Sequence, residues 1–232
     1  ILSAWWLSKL ACIPRDDFQV CEKDILRGKS CKYLLRNLKG EGSFGKMARC
    51  VKLDTMDNVA VKIVKKRSTW SAKKEVNAFK RISILDADKC NCVKFFESFT
   101  YKNHVCIVLK VLDRSLQDFM IERRCKPLHL SEIRVISQQM LMGLNALKSL
   151  GMVHVDIKLD NIMLVNHRLH SFRVKLIDFG YAAPVSSVKC GTTIQAIGYR
   201  APEVILGLKM DEATDMWSLA CVMEYLFLSQ HL

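Results

Sequence analysis

The chain has no run of eighteen apolar residues, the length a helix needs to cross a bilayer, so no transmembrane helix is expected. Its opening stretch from Ile1 is apolar but has no basic segment ahead of it, which argues against a secretory signal. The first residue is Ile1 rather than methionine, and the sequence reads as a fragment or an irregular gene product. Ten cysteines are present without a disulfide framework; they are scattered through an ordinary core composition, which suits a reducing, intracellular compartment. Cys90 and Cys92 form a Cys-x-Cys pair, but no second Cys or His pair stands at zinc-ligand spacing, so they read as plain thiols. Positive charge is plentiful, with 36 Lys and Arg against 23 Asp and Glu and a net +13. That surplus suits acidic substrates or phosphates. The basic residues are not interleaved with aromatics in one stretch, so direct nucleic-acid binding is not expected; its signature would be a steep salt dependence.

What is there begins with enough material for a core. The chain has 232 residues, half of them hydrophobic, which fits one large domain or two lobes. Residues 1–32 carry no motif and read as a lead-in. From Tyr33 the pattern turns strand-like, and Gly40, Gly42 and Gly45 form G-x-G-x-x-G between two apolar runs. With Glu41, Ser43 and Phe44 between them, these residues would let backbone N–H groups lie close over phosphates. Alone, the pattern is better explained by a plain hairpin turn. It gains weight from Lys62, seventeen residues after Gly45 in Asn-Val-Ala-Val-Lys-Ile-Val. A lysine in an apolar strand needs a partner. Glu75 is the candidate, on a helix whose apolar face is Val76, Phe79 and Ile82.

A hairpin around Lys102-Asn103-His104 leads to Leu109, Lys110, Val111 and Leu112, a link whose backbone could read an adenine edge. A short helix follows near Leu116. A longer one runs from Ser131, the expected N-cap, to a stop at Gly151, with Ile133, Ile136, Met140, Leu144 and Leu147 as its core stripe. It delivers the chain to Met152–Leu164, the stretch that organises the rest. There His154, Asp156, Lys158 and Asn161 share one tight loop, and Asp178-Phe179-Gly180 comes twenty-two residues after Asp156. Any of these alone is an ordinary polar loop residue. Together they suit phosphoryl transfer, which needs positioning and charge neutralisation more than covalent help. Asp156 would orient and deprotonate a hydroxyl, Lys158 would steady the phosphate, and Asn161 and Asp178 would offer oxygens to a hard cation. His154 reads as a support for the loop.

From about Tyr33 to Leu228 the sequence resembles a eukaryotic protein kinase, and within that superfamily the homeodomain-interacting protein kinases. The resemblance rests on Lys-Asn-His-Val-Cys-Ile-Val-Leu, on the loop around Asp156, on Asp178-Phe179-Gly180, and on Tyr199-Arg-Ala-Pro-Glu203. It implies an α+β, bilobal protein-kinase-like fold. The small antiparallel β lobe would span 33–109, and a mainly helical large lobe, truncated at its C-terminal end, would span 110–232. It implies ATP between the lobes, with Leu164 also at the nucleotide, Mg2+ as the ion, and Ser/Thr hydroxyls of a protein substrate as acceptors. Transcription regulators as partners, and a nuclear or cytoplasmic place, come with the resemblance alone. A kinase-like module that binds ATP or a protein partner without much turnover is the alternative.

Several positions depart from the family pattern. Val155 stands where many kinases carry Arg. The activating tyrosine of the family would fall at Thr193 and the arginine that meets its phosphate at Ile197, so both halves of a charge-assisted pair are missing together. Tyrosine phosphorylation of this segment is therefore not expected to switch the protein. Lys39, Met47 and Lys110 alter the nucleotide pocket. The helices that complete a large lobe are absent after Asp215–Leu228. The last helix is therefore expected to expose apolar surface, at roughly 25 cal/mol for each Å². Asp215 is expected to hold the backbone of the Asp156 loop from below.

Overall fold

The computed structural model describes residues 20–41 and 45–230. The N-terminal lobe is a wholly antiparallel six-stranded sheet in the order β1-β2-β3-β4-β6-β5. Its strands are β1 (Ile25–Arg27), β2 (Lys32–Glu41), β3 (Gly45–Lys52), β4 (Asn58–Val64), β5 (Phe95–Tyr101) and β6 (His104–Lys110). The sheet thus begins earlier than Tyr33: Leu26, within the stretch read as a lead-in, is wholly buried opposite Tyr33. Strand alternation sets the direction of the key lysine. Val59, Val61 and Ile63 of β4 enter one core, which turns Ala60 and Lys62 toward the other face. A Cβ on Gly45 would collide with the Ile63 carbonyl, so strand packing by itself requires glycine there. The β5–β6 hairpin turns at Lys102 and Asn103, both with positive φ (46° and 66°), the geometry of a tight two-residue turn.

One helix, α1 (Thr69–Ile82), completes this lobe; it buries Ala72, Glu75, Val76, Phe79 and Ile82, a helical stripe with one carboxylate in it. The second lobe holds α2 (Leu116–Glu122), α3 (Leu130–Ser149), α4 (Pro202–Ile205) and α5 (Ala213–Leu228). Short strands β7 (Met152–Val153), β8 (Ile162–Leu164), β9 (Val174–Leu176) and β10 (Ala183–Pro184) form two two-stranded pairs, β7 with β10 and β8 with β9. Helix α3 buries the expected stripe. Its N-cap is His129 and not Ser131: the His129 ring accepts from the Ser131 N–H, and Glu132 accepts from the His129 N–H at 2.8 Å. A histidine ring does here what a hydroxyl usually does, so the cap lies two residues ahead of the expected Ser131. Gly151, at φ +64°, ends the segment as expected.

Helix α5 is apolar nearly all round. Thr214, Asp215 and Ser218 lie buried on its inner side, while Met216, Trp217, Phe227 and Leu228 are exposed. Among the described residues, no helix is long and apolar enough to cross a membrane.

Candidate active site

The loop after β7 is held by one carboxylate. Asp215, on α5, accepts the N–H of His154 at 2.6 Å and that of Val155 at 2.8 Å. Val155 needs the help: it is β-branched yet sits at φ +57°, a conformation costing on the order of 1–3 kcal/mol that persists only when its surroundings impose it. The His154 ring is fully buried. Its Nε2 lies 2.9 Å from the Ile177 carbonyl, and its Nδ1 accepts the Asp156 N–H at 3.3 Å. The tautomer with the proton on Nε2 satisfies both contacts. His154 also packs edge-on against Phe179, which packs in the same way on Phe79 of α1. The histidine supports the loop, as expected.

Asp156 is therefore fixed from behind. Its carboxylate accepts from Lys158 Nζ at 3.0 and 3.1 Å and from Asn161 Nδ2 at 2.9 Å. Asn161 Nδ2 also donates to the Asp156 carbonyl at 2.8 Å. With its amide nitrogen committed to Asp156, the Asn161 oxygen is turned the other way.

A second cluster assembles from three distant segments. Lys62 Nζ lies 2.8 and 2.9 Å from the two oxygens of Glu75 and 3.1 Å from Asp178 Oδ1. Burial works against the Lys62 charge, but the two carboxylates outweigh it and raise its pKa, so the ammonium is retained. Burial likewise works to raise the Asp178 carboxyl, and Lys62 outweighs it, so this group sits below its ordinary value and stays ionised. At Glu75 the order is reversed: burial pushes the carboxyl up, and Lys62 only partly offsets it.

Between the lobes lies a cavity of about 230 Å³. Lys62, Glu75 and Asp178 stand at one end and the link Leu109, Lys110, Val111, Leu112 at the other, with Lys39 and Met47 also on the wall. Leu164 is not there. It is fully buried in the large-lobe core, and its neighbour Met163 lines the cavity instead. Adjacent strand residues face opposite ways, and β8 is too short for its phase to be read from its sequence. Ala60, Val93 and Ile177 also line the cavity and were not anticipated. Ala60 had a usable signal, being two residues before Lys62 in a strand. Gly40 and Glu41 end β2 and Gly45 begins β3, while Gly42, Ser43 and Phe44 lie outside the described residues.

Residues 33–232 match the protein kinase domain family. The chain belongs to the protein kinase family. This kinase is 44% identical over 91% of its length to homeodomain-interacting protein kinase 1 of Mus musculus, covering 18% of that relative. It is 40% identical over 91% to the Caenorhabditis elegans protein of the same name, covering 25% of it. Serine/threonine-protein kinase ppk15 of Schizosaccharomyces pombe is 36% identical over 91%, with 40% of that relative covered. The kinase thus spans well under half the length of these relatives. A crystal structure of a kinase domain superposes with a TM-score of 0.85 at 30% identity, covering 93% of this chain and 69% of that one.

The segment between Asp178-Phe179-Gly180 and Glu203 is anchored by hydrogen bonds of Gln195, Arg200 and Ser218 and by apolar packing. Gln195, buried at φ +64°, donates to the Thr214 carbonyl (2.8 Å) and the Ser218 hydroxyl (2.7 Å) and accepts the Ala201 N–H (2.9 Å). Ser218 donates to the Tyr199 carbonyl at 2.7 Å, and Arg200 donates to the carbonyls of Ile194 and Gln195. Val155 joins Val185, Val188, Ile194 and Met210 around a small apolar void, so the position where many kinases carry Arg is filled by packing. Ile197 is 86% exposed, and Thr193 is exposed too.

Proposed function

We propose that this kinase transfers the terminal phosphoryl group of ATP to serine or threonine hydroxyls of proteins, with Mg2+ as the assisting ion. One observation carries the reading: Asp156, Lys158 and Asn161 are bound into one knot, while Lys62, Glu75 and Asp178 are bound into another at one end of the inter-lobe cavity. The donor set fits a hard cation: the amide oxygen of Asn161 and the ionised carboxylate of Asp178 are oxygen ligands, and two protein oxygens leave room for phosphate oxygens and water. Mg2+, when bound, would neutralise charge on the phosphates.

The residues divide the work. Lys62, held by Glu75, grips the nucleotide phosphates. Asp156 orients the acceptor hydroxyl and takes its proton as the new P–O bond forms and the bond to ADP breaks. Lys158, beside Asp156, offsets the charge carried by the moving group. Positioning and charge stabilisation of this kind account for most of phosphoryl-transfer catalysis. The mouse and nematode relatives are named for interaction with homeodomain proteins. Transcription regulators as substrates, and a nuclear or cytoplasmic place, extend to this chain on that basis.

The test is phosphate transfer from labelled Mg-ATP to a generic basic protein. The wild-type chain is expected to label the substrate and Asp156→Asn to lose about 10²–10⁴-fold, the range for a general base. A folded chain that binds ATP but labels nothing would leave the nucleotide-binding module as the better reading.

A further inference from the structure

Beyond the nucleotide cavity, on the side of the link and away from Lys62, lies a second cavity of about 430 Å³. It shares Lys39, Arg49, Val111, Leu112 and Asp113 with the first, so the two adjoin. Its charge is one-sided. Lys39 and Arg49 come from the roof, on β2 and β3, and Arg114 and Arg168 from the floor, with Asp113 the carboxylate that faces them. Asp113 is already engaged: it accepts the His167 N–H at 3.2 Å and Arg114 Nε at 3.3 Å. Arg114 is further paired with Glu122. Among the described residues, no carboxylate pairs with Lys39, Arg49 or Arg168.

Three cations with no carboxylate partner among the described residues, converging from both lobes on one concave space, favour an anion there. The triphosphate is not that anion, because its lysine stands at the opposite end of the nucleotide cavity. The floor supplies a ruler. From Asn161, beside Asp156, the chain runs as strand β8 to Val165, which lines the basic cavity. At about 3.3 Å per residue, those four steps span roughly 13 Å. A peptide lying extended alongside the bound nucleotide, parallel to this floor and with its hydroxyl at Asp156, would place a side chain about four residues away among these cations.

We propose that this basic vestibule selects protein substrates that carry a carboxylate or phosphate about four residues from the accepting serine or threonine. The inference rests on the phosphoryl-transfer reading for its direction and on the cavity's charge for its content. Lys39 and Arg49 would meet the anion from above and Arg168 from below, so the acidic residue would also tie the lobes together over bound nucleotide.

Serine peptides that differ only in carrying Glu or Lys four residues before or after the serine test this on the intact chain, with Arg168→Glu as the variant. Arg168 is exposed and lines only the outer cavity, so nucleotide binding should be untouched. Wild type should favour one of the Glu peptides over its Lys partner by about tenfold in kcat/KM. Arg168→Glu should erase or invert that preference at unchanged KM for ATP, and Arg168→Lys should restore it. Equal rates for Glu and Lys peptides, or a preference that survives Arg168→Glu, would overturn the proposal. If no peptide is phosphorylated, fluorescence anisotropy of the same labelled peptides reads the site without turnover. Salt-sensitive binding of a Glu peptide that Arg168→Glu weakens supports it, and equal binding of Glu and Lys peptides overturns it. A single-stranded oligonucleotide of matched charge that binds better than the Glu peptides would assign the cations to another ligand and also overturn it.

Discussion

Two segments dock on the same helix by different chemistry. The loop of Asp156 is held by a charge: the Asp215 carboxylate, almost wholly buried, takes two consecutive N–H groups and stabilises a strained Val155. The segment from Ala183 to Glu203 is held by the Gln195 amide, hydroxyls, carbonyls and an apolar seam, and among the described residues its two charged anchors, Arg200 and Glu203, bind only carbonyls and the Thr214 hydroxyl. A buried carboxylate with two donors gives a geometry with little freedom, which suits residues that must meet a reacting centre. Hydrogen bonds to hydroxyls and carbonyls, with packing, hold a segment without asking for a modification. That matches the joint absence of a tyrosine at Thr193 and an arginine at Ile197. The contrast is a physical reason to expect a segment ordered as synthesised.

The largest expected effect comes from removing the charge. Asp215→Ala leaves two buried N–H groups without an acceptor, each worth about 1–3 kcal/mol, so urea unfolding should show a loss of about 3 kcal/mol or more. A loss under 1 kcal/mol would mean that water or relaxation replaces Asp215. Gln195→Ala should cost less, about 2 kcal/mol, because its bonds are neutral and part of the seam remains. A Gln195 variant that unfolds more readily than the Asp215 variant would reverse the comparison. Glu75→Gln keeps shape but leaves Lys62 with one carboxylate. It should weaken ATP binding roughly tenfold, about 1.4 kcal/mol, with little change in melting temperature.

The smallest effect is a pH dependence. The Asp178 carboxyl sits below its ordinary value, so its contribution to folding is fully present above about pH 3.9 and is lost as pH falls through its lower native value. The stability gap between wild type and Asp178→Asn should therefore be flat near neutrality and narrow only in acid. A gap that closes already between pH 7 and 6 would contradict the ion pair with Lys62.

The parts of the site that were legible in the sequence are those that share a short string or a strand period. His154, Asp156, Lys158 and Asn161 fall within eight residues, and Lys62 and Glu75 sit on elements whose apolar pattern fixes their direction. What stayed hidden depends on phase or on long-range meeting. The three residues of β8 cannot show whether Met163 or Leu164 faces the cavity. The three residues of β1 carry too little pattern to mark a strand. Lys39 was visible as an odd residue before Gly40, but only the fold brings it near Arg168, more than a hundred positions away.

The most direct test is phosphate transfer by the chain freed of all phosphate. The purified protein would be treated with a broad phosphatase, checked by mass, and assayed in a single turnover with labelled Mg-ATP and a protein substrate. A loop and segment competent as built predict a rate within twofold of the untreated chain. A folded, ATP-binding chain that transfers nothing until Tyr199 or another residue of the segment is phosphorylated would contradict it.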